Sequence, residues 1–360
     1  MNVWDWVGTY DRTARESGNT AQIELSDVFS RAMDLYRTEP DECLDLLNEA
    51  RSQAQRLNET WWVMLCDHWL MQTMMHGRYN YHDSLDLAVR TVVEVRKPTY
   101  DQMPQRICVH EDLISCYSAV DPFGYADQIQ AALDYMDKEI APTVDCRFCL
   151  QGLKCSFTLR IQRFEETEAH TARYMAMAEE SGSSHYLSHA MSFACTNAYR
   201  HKDWTLLLDL AKQGELHARR KNDPMENCEF LIIKAVAAYS LGTRGEATRW
   251  VRLAQVQAQR LKVTLSQDYF DWLAIWHEIT DDYEGALAIR EQQQTIVVKM
   301  GSPYRLSRTH LERCRLLKMM GTLTDSDLEA ARTSGQGLLQ PVHFLTRLDA
   351  IAAGDTSEIY

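Results

Sequence analysis

Six small side chains recur at a nearly fixed interval, and that interval limits what the chain can fold into. Cys116, Cys155, Cys195, Ala235, Ala274 and Cys314 follow one another at steps of 39, 40, 40, 39 and 40 residues. Nine residues after each stand Tyr125, Phe164, Trp204, Arg244, Tyr283 and Leu323, four of them aromatic. Twelve after each stand Gln128, Thr167, Leu207, Ala247, Ala286 and Ser326, most of them small or medium in size. A small residue in mid-helix lets two helices of a hairpin approach closely, and an aromatic at the turn fills the wedge where they diverge. Each interval of about forty residues therefore reads as one helical hairpin.

Apolar residues follow the three-and-four spacing of a helix face through seventeen segments, the first at 21–37 and the last at 341–353. Residues 2–16 form a further candidate. Asp121-Pro122-Phe123-Gly124, Ser181-Gly182, Asp223-Pro224 and Gly301-Ser302-Pro303 punctuate them as turns. Glycine (15 of 360) and proline (8) are too sparse for a many-turned all-β fold. The expected fold class is all-α.

The segment Tyr239-Ser240-Leu241-Gly242-Thr243-Arg244-Gly245-Glu246-Ala247, with Ala254 after it, resembles a tetratricopeptide repeat, and so does Asp282-Tyr283-Glu284-Gly285-Ala286-Leu287. The resemblance implies a right-handed superhelix, an α-solenoid of antiparallel helix pairs with a concave ligand face. It covers about 105–335. At 40–97 Gly77 and Leu85 suggest another unit, but the register slips. The period exceeds the family's usual 34 and is similar to the variants of about 40 residues in sensor domains of bacterial transcription activators. The family's late proline is missing. An α/α toroid, a ring of similar hairpins often used by enzymes, is the rival architecture; the short connections and strict period favour the open superhelix. Three regions are expected: degenerate repeats at 1–100, the main array at 101–335, and a capping helix and tail at 336–360. The capping helix carries Phe344, Leu345, Leu348 and Ile351 on one stripe, with a dimer contact as its alternative role.

The net charge is −13. A nucleic-acid partner needs a basic face, and the longest basic cluster, His217 to Lys221, reads as a solvated helix end. No stretch of 18 apolar residues exists to span a membrane, and the first residues lack the basic and apolar regions of a signal peptide. Ten cysteines in this length are too dilute for a disulfide scaffold, so a cytoplasmic location is expected.

Motifs for chemistry are weak. Cys146, Cys149 and Cys155 form a C-x2-C-x5-C run without the further ligands of a structural zinc. His185 and His189 share a helix face without a third ligand. Asp281-Asp282 lies at a hairpin turn, and the Glu165-Glu166 and Glu179-Glu180 neighbours do not face each other on a helix. No nucleophile elbow, phosphate loop or dinucleotide fingerprint is present. No enzyme activity and no cofactor or metal is expected. Trp61, Trp62 and Trp69 with Met64, Met71, Met74 and Met75 read as a buried first core.

Helical spacing from each small residue selects one face of each first helix. In the resembling family that face lines the groove. The residues chosen as a partner-binding groove are Tyr117, Arg160, His189, Thr196, Tyr199, Arg200, Tyr239 and Asp271. Arg160 and Arg200, on adjacent units, form a candidate clamp for an acidic group. The expected function is a non-catalytic interaction or scaffold module that binds a protein or peptide segment in the groove. A ligand- or signal-peptide-sensing regulator is the alternative, and an enzyme on a toroid the second.

Overall fold

A computed structural model describes residues 3–36, 38–78, 80–103, 105–140, 146–261 and 265–357. Among them there is no strand. The helices are α1 (Val3–Ser17), α2 (Thr20–Leu35), α3 (Pro40–Leu57), α4 (Thr60–Thr73), α5 (Tyr81–Val95), α6 (Arg106–Val120), α7 (Ala126–Glu139), α8 (Cys146–Arg160) and α9 (Phe164–Ser181). They continue as α10 (Ser184–Arg200), α11 (Trp204–Arg220), α12 (Pro224–Ser240), α13 (Arg244–Ala258), α14 (Gln267–Ile279), α15 (Tyr283–Met300), α16 (Pro303–Met319), α17 (Asp325–Gly335) and α18 (Val342–Ala353). Each helix from α1 to α6 packs on the next, as does each from α9 to α12. The protein is an all-α solenoid of helix pairs. Helical periodicity also places helices at 104–119 and 143–161; their first residues, like the expected limits at 2 and 37, lie outside the described residues.

The thiol column occupies one structural position. Cys155, Cys195, Ala235, Ala274 and Cys314 each lie five residues before the end of their helix, and Cys116 lies four before. All six are buried. Seven residues after each of the last five comes a left-handed residue: Gln162, Lys202, Gly242, Asp281 and Gly321, with φ between 56° and 89°. One residue later the chain closes the same hydrogen bond every time. The N–H groups of Arg163, Asp203, Thr243, Asp282 and Thr322 donate to the carbonyls of Thr158, Ala198, Ala238, His277 and Leu317 at 2.8–2.9 Å. This is the αL helix stop that satisfies the last carbonyls of a helix.

The second column holds in the middle and slips at the ends. Thr167, Leu207, Ala247 and Ala286 are buried; Gln128 and Ser326 are exposed. The α6–α7 turn is built differently, with Asp121 Oδ1 accepting from the N–H groups of Phe123 and Gly124. Ile129 is buried there instead. At the other end Thr324 and Asp327 form a capping box that starts α17 afresh.

The chain divides into two compact units, residues 1–147 with 298–304, and 148–297 with 305–360. In the first, Leu25, Phe29, Leu47, Trp62 and Leu65 centre the core. Trp6 and Tyr10 of α1 and Phe29 of α2 set their rings against Trp62. Met64, Met71 and Met75 are also buried, while Trp61, Trp69 and Met74 of the same run are partly so. In this stretch α4 runs into a π-helical turn, Met74–Arg78. Gly77 sits in that turn with Pro40 so close that a Cβ would lie 2.6 Å from it. The late segment 298–304 belongs to this unit, where Ser302 Oγ donates to the Ala119 carbonyl at 2.6 Å.

In the second unit α12 is the centre. Every residue from Asn227 to Ala238 is buried. Around it pack α10, α11, α13 and α14. Phe344, Leu348 and Ile351 of α18 pack with Leu311, Cys314 and Ala331.

Candidate functional site

The face chosen from sequence as a groove does work between repeats. Tyr199 is buried and sets its ring edge against Trp204 and Trp272. Tyr239 does the same to Trp276 and lies under the Arg244 guanidinium. Arg200 stacks over the Phe164 ring at 3.3 Å, and its Nη1 is 3.5 Å from Glu168 Oε1. Arg160 stands at the equivalent end of α8, half-buried. His189 Nδ1 is 2.9 Å from the Tyr174 hydroxyl. Thr196 Oγ1 donates to its own helix at the Ser192 carbonyl. Tyr117 stacks on Tyr125 at 4.2 Å. On α12, Ile232 and Val236, which helical spacing places on the face of Tyr239, are fully buried. The face is sealed at α12.

Asp271 carries the tightest of these junctions. It accepts from Arg290, from Gln293 Nε2 at 3.0 Å, and pairs with Arg308 at 3.4 Å. Burial alone would raise its pKa, but the Arg308 and Arg290 guanidiniums, with Gln293, reverse that and hold it at about 2. Arg290 is itself buried and also donates to Gln293. This cluster ties α14 to α15 and α16.

The open site lies in the first unit. A cleft of about 840 Å³ is walled by α3 and α5 and floored by α4. Each helix contributes one face by helical spacing: Leu44, Asn48, Arg51, Gln55 and Asn58 from α3; Thr60, Val63, Met64, Asp67, Leu70 and Met74 from α4 and its π turn; Asp83, Leu87, Arg90 and Glu94 from α5. Four wall positions of α3 recur on α5 after 39 residues, as Leu44 and Asp83, Asn48 and Leu87, Arg51 and Arg90, Gln55 and Glu94. The walls are therefore the same stripe on two successive second helices. That recurrence is the sequence signal that points to the cleft; the column of small residues does not reach it.

Arg51 and Arg90 flank one carboxylate. Asp67 is buried in the floor and accepts from Arg51 Nε at 2.6 Å and Nη2 at 3.5 Å. Arg90 adds its positive charge from the other wall. Burial dominates these attractions and raises the Asp67 pKa. Arg51 keeps a third of its side chain in solvent, and Arg90 is exposed with only its Nε engaged, at the Asp86 carbonyl. Among the described residues, Arg51 Nη1 and both terminal nitrogens of Arg90 make no hydrogen bond. Of the remaining acids, Glu94 is held by Lys97 at 2.5 Å and Asp83 by Asn80. The cleft thus combines an apolar floor with unspent guanidinium donors.

No family model matches the chain, and comparison with curated proteins returns no match. Among the described residues no helix is long and apolar enough to cross a membrane, and no group of three or more His, Cys, Asp or Glu side chains is placed to hold a metal ion.

Proposed function

We propose that the chain is a cytoplasmic, tetratricopeptide-like interaction module without catalytic activity, and that it holds an extended partner segment in the α3–α4–α5 cleft. The observation that carries this reading is the pairing of Val63, Met64, Leu70 and Leu87 with the free donors of Arg51 and Arg90 in one open cleft. Apolar side chains of a peptide suit the floor, and a carboxylate between them suits the two guanidiniums. Asp67 already offsets one of the two positive charges, so a single carboxylate fits better than a polyanion. Small clefts of this kind gain affinity from rigid walls, and repeat helices supply them.

The test is selection of twelve-residue peptides from a random library against the full chain. Selected peptides should carry Asp or Glu flanked by apolar residues. Val63→Trp, which fills the cleft, should abolish their binding. Peptides that bind Val63→Trp as well as the wild type would move the site elsewhere and reject this reading.

A further inference from the structure

The bond from Arg51 Nε to Asp67 Oδ1, 2.6 Å long, registers the walls of the cleft against its floor. α3, α4 and α5 pack in sequence order through short connections, so α3 and α5 run together and α4 runs against them. Counting away from the level of Arg51, Asp67 and Arg90 then finds residues at one height. Three residues back along α3 and α5 are Asn48 and Leu87, and three on along α4 is Leu70. Seven back are Leu44 and Asp83, and seven on is Met74. In the other direction, four residues lead to Gln55, Glu94 and Val63. Every one of these residues lines the cleft, so the cleft is a ladder with its charges in fixed order. Along the α5 wall and the floor, a carboxylate at Asp83 is followed by Leu70 and Leu87, then the guanidiniums, then a carboxylate at Glu94. The two end carboxylates differ. Glu94 pairs with the Lys97 ammonium at 2.5 Å. Asp83 is exposed, accepts from Asn80 Nδ2 at 2.6 Å, and has no cation beside it among the described residues. Arg78, at the end of the π turn, pairs with Asp41 instead.

Resting on the reading of this cleft as a peptide site, we infer that the partner segment is bipolar: an Asp or Glu between Arg51 and Arg90, an apolar residue over Leu70 and Leu87, and a Lys or Arg three positions from the acid, paired with Asp83. The spacing follows from the helices. Seven residues of α5 rise about 10 Å, and an extended chain covers that in about three residues at about 3.3 Å each. The base stands on one side of the acid only, because the carboxylate on the other side is already neutralised by Lys97. A segment lying in the cleft therefore has one favoured direction. The acid and the base do different work. The guanidinium level combines a half-buried donor with an exposed one, whereas Asp83 is an exposed, long-reach partner, so the acid contributes more affinity and the base contributes register.

The test selects random twelve-residue peptides on the full wild-type chain and on Asp83→Asn. Wild-type selections should carry Lys or Arg three positions from the acid, always on the same side. Asp83→Asn selections should keep the acid and lose the base. A selected peptide whose base is replaced by Met gives a readout that no protein variant's folding affects: it should bind the wild type about threefold more weakly at low salt. On Asp83→Asn the two peptides should bind alike, which closes the cycle. Acidic peptides without a base at that position, bases scattered along the sequence, or a base retained on Asp83→Asn would each overturn this inference and leave the cleft standing. Peptides that bind Val63→Trp as tightly as the wild type would remove the cleft and this inference with it.

Discussion

Asp67 and Asp271 are two carboxylates with the same retinue. Each sits between two arginines, on the first helix of its pair. Around Asp271, Arg290 is buried, Arg308 keeps a third of its side chain in solvent, and Gln293 completes the acceptor's shell. Around Asp67 one arginine is a third exposed and the other lies in solvent. Their pKa values move in opposite directions, down to about 2 for Asp271 and up for Asp67. Residue composition alone does not separate a strut from a binding site. The difference is that the second arginine is buried at Asp271 and exposed at Asp67.

The largest effect is expected at the strut. Asp271→Asn leaves Arg290 buried beside a neutral partner, and breaking a buried pair from one side costs about 3 kcal/mol; urea denaturation at pH 7 measures it. The pH dependence sharpens the contrast. Because folding lowers the Asp271 pKa, its contribution, roughly 2 kcal/mol, is present above the usual carboxylate range and lost as pH falls toward 2. Asn at 271 should flatten that acid limb.

Asp67→Asn should cost less, about 1 kcal/mol at pH 7, since burial already works against its charge. Its sign with pH is reversed. A raised folded pKa means that the wild type gains on the Asn variant as pH falls and the buried carboxylate takes up a proton. Parallel acid limbs for the two variants would break the comparison. Arg90→Gln should leave the denaturation midpoint unchanged and weaken a selected acidic peptide about tenfold, close to 1.4 kcal/mol, as isothermal titration would show. Arg90→Lys should recover part of that loss. The smallest effect belongs to the shared turn. Lys202 holds a left-handed conformation that Gly242 and Gly321 occupy without a side chain, so Lys202→Gly should stabilise by about 0.5 kcal/mol once unfolded-state entropy offsets part of the relief.

Much of the backbone was legible in the chain. The helices Ser184–Arg200 and Pro224–Ser240 begin where Ser183-Ser184 and Asp223-Pro224 mark helix starts locally. The turn was legible only as a position. Gln162 and Lys202 give no sign of αL geometry, and the repeat alone makes them equivalent to Gly242. The π turn was not legible, since nothing in Met74-Met75-His76-Gly77-Arg78 announces it. The groove reading went furthest from what the side chains do. Tyr199, Arg200 and Asp271 carry the right chemistry on the expected helices, yet each is engaged by a neighbouring helix.

The sequence by itself determined an all-α chain of forty-residue helical hairpins and the depth at which each hairpin crosses. Those depend on short-range spacing, on caps, and on a small side chain recurring where backbones touch. Only the tertiary structure decided that Asn227 to Ala238 of α12 are buried on every face and that Arg290 is buried while Arg90 is exposed. Each of those outcomes depends on what the adjacent helices present at the same height, and repeats that share a backbone differ in the side chains they bring to it.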